Sequence, residues 1–417
     1  MFNQKLPMPW SMAGAILMSM WIVPAPSAQA QTYNVVHNFT GGTDGATPLA
    51  GMTIDRADGL YGTTSAGGGQ AFGTVFRLVH SGHDWHFFLL YTFQGQTDQS
   101  SDGGAPYARV VIGPGDLLYG TTHFGGDGPG CKAWYGCGTV FSLKPGKAVG
   151  PWEETVLYRF GTDGGSNPDY GDVVFDQAGN LYGTTRNGGA YLQGTVYQLT
   201  PNGGNWTEKV LYSFAGSPDG ASPLSGPVFD QAGNLYGTTS AGGANGWGTL
   251  YQLKPAGSAW TENILDSLQN GSDGAVPTGG VIFDPAGNLY GATQTSGTGG
   301  GGTAFELSPL SGGGWSLSTL YGFPGPAFGG PFRSVVMDNA GNLYGTTSGD
   351  GTHDWGSVFK LTRTNGGWTY SSLHDFTGAS DGGAPYGGLA FAANGNLYGT
   401  ASVGGAYGNG VVFEITP

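Results

Sequence analysis

Asp230-Gln-Ala-Gly-Asn-Leu-Tyr-Gly-Thr-Thr239, followed by Gly248-Thr-Leu-Tyr251, is the stretch on which the fold turns. Its Asp, Gly and Asn residues spell a tight turn, and the β-branched and aromatic residues beside them read as short strands with no helical period. The tripeptide Leu-Tyr-Gly recurs at Leu60, Leu118, Leu181, Leu235, Leu289, Leu343 and Leu397, at spacings of 58, 63, 54, 54, 54 and 54. A glycine stands eight residues after each Leu, and a Gly-Thr-Val-Phe-like strand opening stands thirteen after it in six copies. The second copy opens late, at Gly138, behind an insertion that holds both cysteines. Upstream, an Asp-Gly turn precedes six copies, with Ala327 in its place in the sixth, and a proline follows in all seven.

Each unit reads as four short runs; in the fourth they are residues 225–230, 234–239, 249–254 and 260–265. Four antiparallel strands in about 54 residues is the size of a propeller blade, which cannot bury its faces without neighbours. The fold class is therefore all-β, a seven-bladed β-propeller of four-stranded blades. The last unit ends with its third run, residues 411–415, and the missing fourth stands at the N-terminus as residues 33–39. The N-terminal strand is expected to complete the last blade and close the ring, hiding the edges there. A solenoid would want atypical capping repeats instead of a split one.

With 83 glycines and 24 prolines in 417 residues, the composition overlaps disordered and collagen-like sequence. Aromatics at 13% and the absence of glycine at every third position exclude both. Residues 1–30 carry Lys5, an apolar stretch from Met12 to Val23 and Ala28-Gln-Ala30, the pattern of a cleaved secretory signal. Residues 31–417 are then a single exported domain, periplasmic or extracellular, with no membrane span and expected to be a monomer. Twenty-eight acidic residues against 14 basic, with no basic cluster, argue against a nucleic-acid partner. Cys131 and Cys137, six apart in an exported chain, are expected to form a local disulfide.

The Asp-x-x-Gly-Asn-Leu-Tyr-Gly-Thr-Thr pattern with its following Gly-Thr-Leu-Tyr resembles the GloVer tandem-repeat proteins over essentially the whole mature chain. The resemblance implies export and no particular activity, because that family is defined by its repeat. The chain lacks the C-terminal anchor many members carry, which implies release into the periplasm or medium. A fainter similarity, confined to the Asp-x-x-Gly-Asn segment, links it to NHL-type propellers and streptogramin lyases.

Function is usually grafted onto loops, so residues that break the repeat are the informative ones. Five residues after the Leu, His123 and Arg186 replace Ser or Gln. Nine before it, Arg109 and Asp172 replace Gly or Ser, and Arg333 departs nearby in the sixth unit. Tyr107, Tyr170, Phe332 and Tyr386 are placed to rim the channel mouth, and the third unit is longer by two residues there. Two readings stand: an Arg109–Asp172 ion pair with aromatics packed between blades, or a polar pocket over blades two and three, walled by Trp134 and Tyr135. Phe72, Tyr191, Trp247, Trp355 and Tyr407 precede the third strand, either exposed for stacking on sugars or folded onto neighbouring blades. The favoured function is a binding module for glycans or extracellular proteins. The alternative is a lyase or lactonase with His123 as base, Tyr170 or Tyr107 as acid, and Arg109 or Arg186 neutralising a substrate carboxylate. No cofactor or metal motif stands out: His80, His83 and His86 scatter across a strand, and a turn carboxylate bonding backbone amides explains the repeated Asp better than calcium does. Gly297-Thr-Gly-Gly-Gly-Gly302 spells a dinucleotide fingerprint without the helix that one needs.

Overall fold

The computed structural model describes residues 31–417 except 83, 97–100, 129, 132–135 and 147–151, and Met1 alone of the first thirty. The expected signal segment thus lies outside the described residues. Seven four-stranded antiparallel sheets form the blades of a propeller. Counted outward from the channel, the fourth blade is Val228–Phe229, Leu235–Thr239, Thr249–Ala256 and Ala259–Ser267. Its innermost strand is shorter than the run of six that the sequence suggests. The reason is local: Ser225 gives its carbonyl to Thr184 Oγ1 of the third blade (2.9 Å), and Gly226 lies so close that a Cβ there would be 1.8 Å from the Asp172 carbonyl oxygen. That backbone is committed to the neighbouring blade and has left its own sheet.

The seventh blade comprises Ala390–Phe391, Leu397–Ala401 and Val411–Thr416, with Thr32–Asn38 as its outermost strand. The terminal strand pairs antiparallel from Thr32 with Thr416 to Asn38 with Val411. Tyr33 and Val35 pack into the core between blades six and seven, and Val36 into that between seven and one.

Alternation along each second strand builds the interfaces. In the fourth blade Leu235 joins Tyr182, Val196 and Phe214 of blade three, whereas Tyr236 joins Leu289, Phe305 and Leu307 of blade five. Consecutive side chains on a strand point to opposite faces, so one Leu-Tyr dipeptide serves both neighbours. The glycine that follows is dictated by close approach: a Cβ on Gly237 would be 2.5 Å from Tyr251 Oη of the third strand. Buried hydroxyls pair Thr239 with Thr249 at 2.8 Å, and the first six blades repeat the contact. The seventh has Ala401 and Val411 there, so both partners are apolar together and neither polar group is left unsatisfied.

Candidate functional site

The loop between the second and third strands of each blade bonds to the connection entering the next blade. Val276 N donates to Trp247 O (3.0 Å), Ala105 N to Phe72 O and Ala384 N to Trp355 O (2.8 Å each). Both kinds of loop therefore share one face. Over the mouth on that face the rings of Tyr107 and Tyr170 stack at 5.2 Å, Phe332 meets Tyr170 edge-on at 4.9 Å, and Tyr386 meets Phe332 at 5.2 Å. Tyr170 enters blade three and Phe332 blade six, so the rings reach across the channel. Arg333 spans the same gap. Its guanidinium lies 5.0 Å over the Tyr170 ring and donates to the carbonyls of Tyr170 and Tyr107, and of Leu49 at 3.5 Å, linking blade six to connections entering blades three, two and one. Burial pulls this guanidinium down from its ordinary value, against the opposing influence of Asp172.

Beside the stacked tyrosines, His123 Nδ1 bonds Asp169 Oδ1, and Arg186 Nη1 lies 3.5 Å from Asp169 Oδ2. The Asp169 side chain is 1% exposed, whereas half of the Arg186 side chain faces solvent. The His123 and Tyr107 rings lie 5.0 Å apart. Burial raises the Tyr107 hydroxyl and pushes Tyr170 up to about 12, so both hold their protons at neutral pH. Asp169 escaped the sequence reading although a signal was present. It occupies the position, twelve residues before the Leu, that proline holds in the other six units, because Pro168 has moved one place upstream.

Arg109 and Asp172 form the expected ion pair between blades, Nε to Oδ2 at 2.6 Å, and Asp172 Oδ1 also accepts the Arg109 backbone N–H. They face the channel below the ring layer. The four substituted positions thus fall into two groups: His123 and Arg186 gather on Asp169, Arg109 pairs with Asp172, and Tyr170 stands between them. The channel beneath Tyr170 widens into a cavity of ≈ 160 Å³ to which all seven blades contribute.

Farther out on the same face Tyr191, Trp247, Trp355 and Tyr407 are 60, 40, 44 and 63% exposed. Exposure and packing onto the neighbouring connection are both found among these rings. Trp355 lies over Gly378 and Gly383 of the next connection, and the less exposed Phe72 lies over Gly95 and Gly104. Cys131 and Cys137 form the disulfide. Trp134 and Tyr135, expected to wall the pocket, lie outside the described residues, as does His83. The repeated Asp accepts backbone amides, as in Ala215 N to Asp219 (2.7 Å) and Thr377 N to Asp381 (3.0 Å).

The Gloeobacter/Verrucomicrobia repeat matches residues 25–226, 131–317 and 310–417. A search of curated proteins finds no match. Among solved structures, a new family of polysaccharide lyase, PL25 ulvan lyase, aligns with TM-score 0.54 at 10% identity, covering 89% of this chain and 93% of that one. An ancestral GH74 enzyme aligns at 0.52 and 12% identity, over 88% and 48%. A putative 6-phosphogluconolactonase from Bacteroides uniformis aligns at 0.50 and 15%, over 82% and 88%. At such identities the likeness is one of fold.

Proposed function

We propose, from the premise that the chain belongs to the Gloeobacter/Verrucomicrobia repeat family, that it is an exported carbohydrate-binding propeller. The observation that carries the reading is the set of rings Tyr191, Trp247, Trp355 and Tyr407, exposed in the same loop of blades three, four, six and seven, ten or twelve residues after the Leu. Exposed rings among neutral polar groups suit the apolar faces of sugars, and repetition around a ring multiplies weak sites through avidity. The signal-like N-terminus, the disulfide and the glycan-active enzymes among its fold relatives support the same reading. A glycan array probed with the mature chain tests it. Binding to at least one sugar class is expected, and Trp247→Ala weakens it by about 1 kcal/mol, roughly fivefold. A blank array across neutral and acidic sugars sinks the proposal.

The second reading is a lyase on an acidic sugar, favoured by His123 bonding through Nδ1 to a buried carboxylate. That contact leaves Nε2 as the base, and no described residue bonds it. Nε2 would take the proton α to the uronate carboxylate, the C–O bond to the leaving sugar would break, and Tyr107 or Tyr170 would protonate the departing oxygen. Arg186 would neutralise the carboxylate. Formation of unsaturated product from uronate polysaccharides, abolished by His123→Ala, is the expected result; turnover that survives the substitution removes His123 as base.

A further inference from the structure

Beneath the ring layer the charges do not balance. The chamber is lined by three charged side chains, Arg109, Arg333 and Asp172. Asp172 is engaged by Arg109 at 2.6 Å, and among the described residues no carboxylate lies within ion-pair distance of Arg333. Among the described residues Arg333 has only carbonyl oxygens as hydrogen-bond acceptors, and its buried Nε has none. Buried charge is ordinarily paired, because desolvation is costly without a counterion. The Arg109 Nη groups likewise have no hydrogen-bond partner among the described residues, and they present a fork of the kind that holds a carboxylate in two parallel hydrogen bonds. Tyr170 of the ring layer closes the chamber on one side, and the rest of the wall is glycine backbone, two serines and a mainly aliphatic set that includes Val174, Val228, Ile282 and Val336.

We infer that this chamber is a second ligand site, distinct from the ring face, that takes a small organic carboxylate: its anionic end on Arg109 beside Arg333, its apolar part against the aliphatic girdle. The excess positive charge selects an anion over a cation. A cavity of ≈ 160 Å³ accommodates a molecule of about six heavy atoms. The aliphatic wall favours a short carbon chain over an inorganic ion.

Propionate is the probe, titrated calorimetrically into the mature chain at constant ionic strength, with propionamide and chloride as controls. Saturable propionate binding is expected, with propionamide and chloride weaker by about tenfold or more. Arg109→Gln removes the fork, and Ile282→Phe fills the chamber without touching a charge; each weakens binding by about tenfold. Should Arg109→Gln fail to fold, Ile282→Phe tests the same chamber independently. Trp247→Ala, on the outer part of the face, retains propionate binding, which separates this site from the glycan site. The proposal is overturned if propionate gives no saturable signal, if propionamide or chloride matches it, if folded Ile282→Phe binds like the parent, or if Trp247→Ala abolishes binding.

Discussion

At three consecutive interfaces, from blade one to blade four, a tyrosine of one outermost strand meets a glutamate of the next. Tyr158 donates to Glu208 at 2.7 Å, and the Tyr212 hydroxyl lies 3.1 Å from both Glu262 and Asp219. Tyr91 donates to Asp102 at 2.7 Å, with Glu154 close enough to raise it. From blade five around to blade one the same slot holds stacked rings: Tyr321 on Tyr370 at 4.7 Å, His374 on Tyr33 at 3.8 Å and His37 on Phe87 at 4.5 Å. The positions are equivalent, since Glu154, Glu208, Glu262, Tyr370, Tyr33 and Phe87 each pair with the closing aliphatic residue of the third strand. The interface demands a filled slot and is indifferent to whether a carboxyl or a ring fills it.

The two halves differ in how they answer pH. Burial first, then Asp102 or Asp219, pushes Glu154 and Glu262 up to about 8, and burial raises Glu208. Between the ordinary 4.5 and 8 the folded state holds protons that the unfolded chain has lost, so stability is full below 4.5 and declines as pH rises through 8. Burial lowers His37 and His374 in the other half. There the unfolded chain binds the extra proton, so stability is full above 6.5 and is lost as pH falls below it.

The largest effect is expected from breaking a stack. Tyr370→Ala, which strips the ring from Tyr321 and leaves a void against Phe359, costs about 3 kcal/mol in denaturant unfolding. An unfolding free energy unchanged from the parent would show that this interface does not need its slot filled. Next comes the triple replacement Glu154→Gln, Glu208→Gln, Glu262→Gln: its melting temperature is expected to fall less than that of the parent between pH 5 and 9, and parallel curves would refute the assignment. The pair His37→Tyr and His374→Tyr supplies the residue used at Tyr91, Tyr158 and Tyr212 and is expected to blunt the loss of melting temperature below pH 6. The smallest effect belongs to Ala401→Thr with Val411→Thr, which restores the hydroxyl pair of the other blades and shifts stability by about 1 kcal/mol or less; either single change, leaving one hydroxyl buried alone, is worse than the pair.

The blades were legible because period and alternation are local. Leu-Tyr-Gly at a spacing of 54 announces a unit, and a split last unit announces the strand 32–38 that completes it. The site was legible in part. His123, Arg186, Arg109 and Asp172 stood out as breaks in the repeat, and Arg109 with Asp172 is the pair expected. Asp169 was hidden by a one-residue displacement of proline, and the glutamates by belonging to strands whose faces look like ordinary outer surface.

The sequence alone determined the number of blades, the strands in each and the residues that interrupt the pattern, because these follow from hydrophobic alternation and turn chemistry within some 54 residues. Tertiary structure decided which interruptions meet. Closing the ring brings Arg333 of the sixth blade against the carbonyls of Tyr107 and Tyr170, 226 and 163 residues away, and a repeat read in one dimension contains nothing that specifies contacts across a channel.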